Sequence, residues 1–306
     1  MNKGIKPGIL FLLLILLFHL NRETAAQMLG WRELIVRTQT EAPKPDHRFY
    51  YGEEEMQFCD LWLPEGEGPH PVVIMIHGGC WLSSIPGVVL MELISNDLKD
   101  RGIAVWNLEY RRVGHEGGGY PGTFLDVASG ADYIRDIAEE YNLDLTKTLT
   151  IGHSAGGHLA LWLSGRNEIS PNSVLFEKDP LKIYAVISLA GIGDLAQFQE
   201  FGNLVCGDRI INNLVNLKEE KREDPFHDTS PVELIPENTP QILIHGAYDP
   251  IVPPFLGYSY KIKAKTKNGN VTLKLITDAG HFELIAPWTD AWQEVLDELL
   301  FLLARD

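Results

Sequence analysis

Near its middle, the chain reads LTIGHSAGGHL from Leu149 to Leu159, an apolar strand pattern that passes at once into a helical one. Residues 152–156 match G-x-S-x-G. When this pattern forms a sharp strand-to-helix turn, a side chain at either glycine position would collide with the backbone. The turn raises the serine out of the sheet, at the positive end of the next helix. The stretch therefore predicts a nucleophile, Ser154, at the carboxyl end of a buried strand.

Short apolar runs alternate with helical patterns on both sides of this turn. Strands are predicted over residues 48–51, 57–63, 72–76, 103–110, 148–151, 184–189, 242–245 and 271–276. Helices are predicted over residues 91–101, 124–141, 157–164 and 290–303. Such alternation predicts an α/β fold with a doubly wound, mostly parallel sheet, and a site at the carboxyl ends of its strands.

A polar segment, residues 194–239, interrupts this alternation. Long interruptions in compact domains usually serve the site, so we predict a cap or lid inserted in a single domain over residues 27–306. A surface insertion without a role is the alternative.

A glycine-containing turn, HGGCW over residues 77–81, follows the strand predicted at 72–76. Two glycines let the backbone approach a ligand and direct N–H groups at it, and such donors stabilise the negative oxygen that develops in acyl transfer. We assign oxyanion donors to Gly79, Cys80 and Ala155, and substrate contacts to Trp81 and His153. An ordinary strand-to-helix turn is the alternative.

An acid and a base follow two later strands. Asp249 comes after the strand at 242–245, and His281 comes after the strand at 271–276. The order Ser154, Asp249, His281 is the order expected for a triad on this fold. His281 would take the serine proton, and Asp249 would hold the imidazole in the required tautomer.

Other residues compete for the same two roles. The alternative acids are Asp194 and Asp278, and the alternative bases are His153, His158, His227 and His245.

The composition limits the partners. The formal net charge is −16, without a compensating basic run, which argues against a nucleic-acid track. Three cysteines, Cys59, Cys80 and Cys206, allow at most one disulfide and lack C-x-x-C spacing. The pair is left open, although the apolar stretch around Cys59 favours a buried thiol. Without an H-E-x-x-H pattern, no metal site is predicted.

The first 26 residues have the pattern of a signal peptide. Lys3 and Lys6 precede the apolar run Ile9–Phe18, and Ala25 and Ala26 form a small-residue cleavage site. A helix over 8–20 would span roughly 20 Å, less than the ~30 Å of a bilayer core. We therefore predict export to the periplasm or outside the cell, with no stable membrane insertion after cleavage. An uncleaved anchor is the alternative.

Taken together, these residues resemble the α/β-hydrolase superfamily over nearly the whole predicted mature chain. HGG at 77–79 with GHSAGG at 152–157 resembles the hormone-sensitive-lipase-like esterases, and the variant with Trp81 resembles bacterial acetyl and feruloyl esterases and kynurenine formamidase. In the lipase-like group a third glycine commonly stands where this chain has Cys80. The resemblance implies a serine hydrolase without a cofactor.

Three functions follow as hypotheses. The first is a carboxylesterase acting on small-molecule or carbohydrate-linked esters of short acyl or aromatic acids. The second is an amide hydrolase of the arylformamidase or peptidase type, and the third is a non-catalytic interaction module. An intact Ser154, Asp249 and His281 set argues against the third. No oligomeric state is predicted.

Overall fold

A computed structural model describes residues 28–217, 222 and 224–305. The predicted signal peptide over residues 1–26 lies outside the described residues. The strands are β1 (His47–Tyr50), β2 (Phe58–Trp62), β3 (His70–Ile76), β4 (Ala104–Leu108), β5 (Leu143–His153), β6 (Ala185–Leu189), β7 (Gln241–Gly246) and β8 (Val271–Ile276).

One eight-stranded sheet contains all of these strands, in the order β1-β2-β4-β3-β5-β6-β7-β8. β2 is antiparallel to both β1 and β4, and every other neighbouring pair is parallel. The carboxyl ends of β3 to β8 therefore meet at one edge. This topology confirms the predicted mostly parallel α/β sheet.

Helices cover the sheet and follow its strands. The α-helices of the described residues are α1 (Trp31–Glu41), α2 (Glu92–Asp100), α3 (Gly122–Asp132), α4 (Ile134–Ile137), α5 (Ala155–Ser164), α6 (Leu195–Val205), α7 (Ile210–Leu214), α8 (Phe255–Thr266) and α9 (Asp290–Ala304). In this part of the chain, none of them is long and apolar enough to span a bilayer.

The core lies around the central strands. Every residue of β4, β6 and β7 is buried, as expected for strands covered on both faces, whereas the edge strands β1 and β8 are partly exposed. The helix predicted over 124–141 is shorter than expected. The predicted helix is divided: α3 ends at Asp132, α4 covers Ile134–Ile137, and turns follow up to Asn142, whose φ of +48° directs the chain into β5.

The segment 194–239 contributes α6, α7 and a short 3-10 helix, Pro231–Glu233, among its described residues. The N-terminal end of α6 is tied to the rest of the fold, since Asp194 contacts Lys263 of α8 at 2.5 Å. The C-terminal end of α6 carries Leu204, 84% exposed, and Val205, 39% exposed. This end lies beside the site described next.

Candidate active site

Ser154 occupies the turn between β5 and α5. Its φ is +55°, a conformation that persists in a residue with a side chain only when the surroundings hold it. A Cβ on Gly152 would lie 2.1 Å from the carbonyl oxygen of Gly156, and one on Gly156 would lie 2.1 Å from that of Ile76. Both positions therefore accept only glycine, which is the physical basis of the G-x-S-x-G spacing.

The backbone N–H group of Ser154 has an acceptor, whereas that of Ala155 has none within its helix. The Ser154 amide donates to the carbonyl oxygen of Leu189 at the end of β6, over 2.8 Å. Ala155 is the first residue of α5, where N–H groups have no acceptor within the helix and the helix dipole is positive. The Ala155 amide is thus suited to stabilise negative charge beside the serine.

Asp249 and His281 are in direct contact. His281 Nδ1 lies 2.6 Å from Asp249 Oδ2, and the two residues are 5% and 4% exposed. They follow β7 and β8, which are parallel neighbours, so the topology brings them together. The contact leaves His281 Nε2 as the ring nitrogen that can exchange a proton with a hydroxyl group.

Hydrogen bonds hold the Asp249 carboxylate in its charged form. Burial by itself would raise the pKa of Asp249, but the hydrogen bond and charge of His281 lower it below its usual value. The amides of Ile251 and Val252 add to this effect by donating to Oδ1 over 2.8 and 2.9 Å. The acid is therefore ionised and fixed in orientation.

The two alternative acids are engaged elsewhere. Asp194 accepts the N–H of Gln197 over 2.9 Å at the start of α6 and contacts Lys263. Asp278 follows β8 and lines a separate cavity with Met28. Of the three carboxylates, Asp249 is the one bonded to His281 in the part of the chain that the structure describes.

Three of the alternative histidines have other surroundings. His158, in α5, accepts the indole N–H of Trp81 over 3.3 Å, and its Nε2 lies 2.9 Å from the carbonyl oxygen of Thr229. Burial lowers the pKa of His158 to about 4. His245 is buried in β7, and burial lowers its pKa to about 4 as well. His227 lies at the surface of the segment 194–239.

His153 lies against His281 rather than replacing it. Their ring centroids are 4.5 Å apart, and His153 Nε2 is 2.9 Å from the carbonyl oxygen of His281. Burial, and next the charge of His281, lower the pKa of His153 to about 3. A neutral His153 therefore donates this hydrogen bond and supports the backbone of His281.

The loop over residues 77–81, called the HGG loop below, passes directly beside the serine turn. A Cβ on Gly78 would lie 2.8 Å from the carbonyl oxygen of His153 and 3.2 Å from Ser154 Cβ. Gly79 has a φ of +103°, and Cys80 and Trp81 each have a φ of +54°. The backbone of this loop therefore comes close to Ser154 in a conformation that its surroundings must maintain.

A buried cluster holds the start of the HGG loop. His77 Nε2 lies 2.9 Å from Glu109 Oε1, and its Nδ1 lies 2.7 Å from the carbonyl oxygen of Gly78. Tyr110 stacks on the His77 ring and donates its hydroxyl to the His77 carbonyl oxygen over 3.0 Å. Burial alone would raise the pKa of Glu109, but the charge and hydrogen bond of His77, with Arg112, lower it to about 2.

A cavity of about 330 Å³ opens at this edge of the sheet, and Ser154 and His281 both line it. Gly79, Cys80 and His153 are also in its wall. The remaining lining residues are apolar: Trp31, Ile85, Leu90, Val205, Ile251, Phe282 and Ile285.

Trp81, predicted to contact substrate, lies outside the described cavity wall, whereas Trp31, for which nothing was predicted, lies in it. Trp81 is fully buried and is absent from the described cavity wall, so it supports the HGG loop from behind instead of contacting a substrate. Trp31 of α1 instead enters the wall, with its ring centroid 5.6 Å from that of Phe282. Sequence analysis missed Trp31 because no motif connects the N-terminal helix to the strand ends. It missed Glu109 too, although an acid within an apolar strand was a usable signal.

Cys80 and Cys206 form a disulfide, with 5.5 Å between their Cα atoms. Cys59 is a free, buried thiol, as its apolar surroundings favoured. The pairing that the sequence left open is therefore the one that joins the HGG loop to the residue after α6.

The fold and the arrangement at the strand ends define the class of esterase-type α/β-hydrolases. Within that class, this chain belongs to the BD-FAE family, whose profile matches residues 59–263. The resemblance drawn from the sequence is thereby confirmed at the level of superfamily and esterase class.

Known relatives agree with this assignment. The probable isoprenylcysteine alpha-carbonyl methylesterase ICMEL2 of Arabidopsis thaliana is 24% identical over 271 residues, covering 84% of this chain and 62% of the relative. ICMEL1 of the same plant is 32% identical over 111 residues, 36% of this chain and 22% of that protein. The chain thus spans less than two thirds of either relative.

Among solved structures, an inhibited form of esterase B from Lactobacillus rhamnosis superimposes with a TM-score of 0.73. The two proteins are 18% identical, and the match covers 90% of this chain and 93% of the other. At that identity the likeness bears on the fold.

Proposed function

We propose that this protein is a serine carboxylesterase in which Ser154 is the nucleophile, His281 the general base and acid, and Asp249 the residue that orients the base. The observation that carries this proposal is the 2.6 Å contact of His281 with Asp249 in a cavity that also contains Ser154 on a strained turn. Family membership supports the same chemistry.

The reaction proceeds in two half-reactions. His281 Nε2 accepts the Ser154 proton as Oγ attacks the ester carbonyl, and the tetrahedral intermediate then expels the alcohol, which takes that proton from His281. Water, activated by the same imidazole, attacks the acyl-enzyme and releases the acid and free Ser154. Asp249 keeps Nδ1 protonated and stabilises the imidazolium that forms in both halves.

Backbone amides stabilise the oxyanion. The proposed donors are Ala155, at the positive end of α5, and Gly79 and Cys80, in the HGG loop that passes beside Ser154. Each such donor is typically worth about 3 kcal/mol in the transition state. The buried pair of His77 and Glu109 supports these donors by holding the loop.

The cavity favours esters of short acyl or aromatic acids. Its volume of about 330 Å³ is at the small end of the range for ligand pockets. Aliphatic and aromatic side chains make up most of its wall, so an apolar acyl group would bury its surface there. The alcohol side can be a small molecule or a carbohydrate, with segment 194–239 as the cap.

A serine amidase is the second candidate, because the same three residues would cleave an amide. Comparing p-nitrophenyl acetate, butyrate and octanoate with methyl ferulate and N-formylkynurenine distinguishes the two. The proposal expects the esters to have the higher kcat/KM. A preference for N-formylkynurenine would replace it with the amidase.

Ser154→Ala tests the mechanism itself. The variant should lose hydrolysis of p-nitrophenyl acetate by about a millionfold in kcat while keeping its circular dichroism spectrum and melting temperature. Ser164→Ala is a control at the far end of α5, where the hydroxyl donates to Leu161 and accepts from Gln241, so its melting temperature is measured beside its activity. Undiminished activity in Ser154→Ala would refute the mechanism.

A further inference from the structure

The Cys80–Cys206 disulfide connects two walls of the cavity. Cys80 lines it directly, next to Gly79 in the HGG loop, and Cys206 follows Val205, which lines it from α6. The two cysteines are 126 positions apart in the chain. This covalent link therefore spans the cavity between the proposed oxyanion donors and the proposed cap.

In the HGG loop, the disulfide acts on Cys80, whose backbone conformation needs support. Cys80 has a φ of +54°, a left-handed backbone conformation that a residue with a side chain keeps only when its surroundings hold it. Its neighbours have their own anchors: the amide of Leu82 donates to Gly79 over 2.9 Å, and the amide of Val113 donates to Trp81 over 2.8 Å. Cys80 itself is held through its side chain, by the disulfide to Cys206.

On the cap side, the link fixes the residue that follows the last turn of α6. Asp194 anchors the start of α6, and Phe198 in its middle packs edge-on against Trp81, with centroids 6.3 Å apart. Beyond that contact, Phe201 packs on Phe255 of α8 with ring centroids 5.2 Å apart, and Leu204 and Val205 in the last turn are exposed. The bond to Cys206 therefore keeps Val205 in the cavity wall.

We propose that the Cys80–Cys206 disulfide is a positioning link that sets the Cys80 amide towards the substrate carbonyl and holds α6 over the cavity, so that ester hydrolysis depends on thiol redox state. This inference rests on the proposed esterase function. A dithiol would act in two steps: its thiolate attacks one cysteine sulfur, which breaks the Cys80–Cys206 bond, expels the other cysteine as a thiolate and forms a mixed disulfide. The second thiolate of the reagent then attacks its own sulfur in that mixed disulfide and expels the first cysteine. Cys80 and Cys206 are each reduced to a thiol, and the dithiol is oxidised to its cyclic disulfide.

The test compares Cys206→Ser, Cys80→Ser and the double variant with the wild type, using p-nitrophenyl acetate and butyrate well below the melting temperature. Loss of the bond should lower kcat for both esters by about ten- to a hundredfold, because the oxyanion donor is misplaced. It should raise KM more for butyrate than for acetate, because Val205 leaves the wall. Dithiothreitol should reproduce both changes in the wild type and in Cys59→Ala, and leave the double variant unaffected.

Cys206→Ser separates the bond from the residue, since it breaks the link and keeps Cys80. Equal losses in both single variants support the link. A loss confined to Cys80→Ser, or a lowered melting temperature with unchanged kcat and KM, overturns it. If the variants do not fold, the experiment is done on the folded wild type after reduction. Ellman's reagent counts the two new thiols. Unchanged kcat and KM in this reduced protein overturn the inference. Failure of the esterase function looks different: wild type and Ser154→Ala would then hydrolyse the esters equally.

Discussion

His281 donates its Nδ1 proton to Asp249 across 2.6 Å, while the other carboxylate oxygen accepts two backbone amides that follow β7. The carboxylate is thus fixed from the loop side, and the imidazole is fixed by the carboxylate. His153 donates to the backbone carbonyl oxygen of His281 over 2.9 Å. Each of these contacts restricts the ring to one orientation, which general-base catalysis requires.

Asp249→Asn should lower kcat by about ten-thousandfold for p-nitrophenyl acetate, because the amide can donate to Nδ1 and stabilise the wrong tautomer of His281. Steady-state kinetics of the purified variant measure the effect. Asp278→Asn is the matched control, since Asp278 lies three residues from His281 in the chain and lines a separate cavity. If Asp278→Asn costs more activity than Asp249→Asn, the acid has been assigned to the wrong residue.

Acid should destabilise the fold through buried imidazoles. Burial lowers the pKa of His158 to about 4 from an ordinary value of 6.5, so the unfolded chain binds more protons between these values. The free energy of unfolding therefore falls as pH drops from about 6.5 towards 4. His153 and His245 act in the same direction, with pKa values lowered to about 3 and about 4.

His158→Gln isolates one of these contributions. Glutamine offers a donor and an acceptor without titrating, so the difference in urea unfolding free energy between pH 7 and pH 5 should shrink by about 1 to 2 kcal/mol. An unaltered pH dependence in His158→Gln would mean that His158 is not held neutral by burial.

Trp31→Ala should change which acyl groups are preferred. Because Trp31 and Phe282 form an aromatic part of the cavity wall, removing the indole should lower kcat/KM for methyl ferulate by about tenfold and for p-nitrophenyl acetate much less. Trp31→Phe should restore much of the loss. Tyr258→Ala, which removes an exposed aromatic ring on α8, should affect both esters little. Equal losses on both esters for Trp31→Ala would contradict a role in selectivity.

Local patterns predicted the sheet and the positions that follow its strands. Asp249 and His281 could be found because parallel neighbours end at the same edge, and Ser154 because only glycine fits two positions away from it on either side. These are short-range or topological constraints, and a sequence records them directly.

Long-range contacts could not be predicted in the same way. α1 has Trp31, Leu34 and Ile35 on one face, but nothing in its sequence indicates that Trp31 reaches Phe282. The pairing of Cys80 with Cys206 depends on where α6 packs, since three cysteines alone allow several pairs. Trp81 was expected to contact substrate, but the positive φ at Cys80 and Trp81 turns its ring into the core.

Covalent labelling with diethyl p-nitrophenyl phosphate tests the central claim most directly, because an organophosphate captures the serine that a neighbouring base activates. We expect one equivalent of p-nitrophenol released per chain, loss of esterase activity in proportion, and a phosphorylated peptide that carries the modification on Ser154. His281→Ala should slow this labelling severely. Inactivation with the modification on another residue, or full labelling of Ser154 with esterase activity retained, would contradict the account.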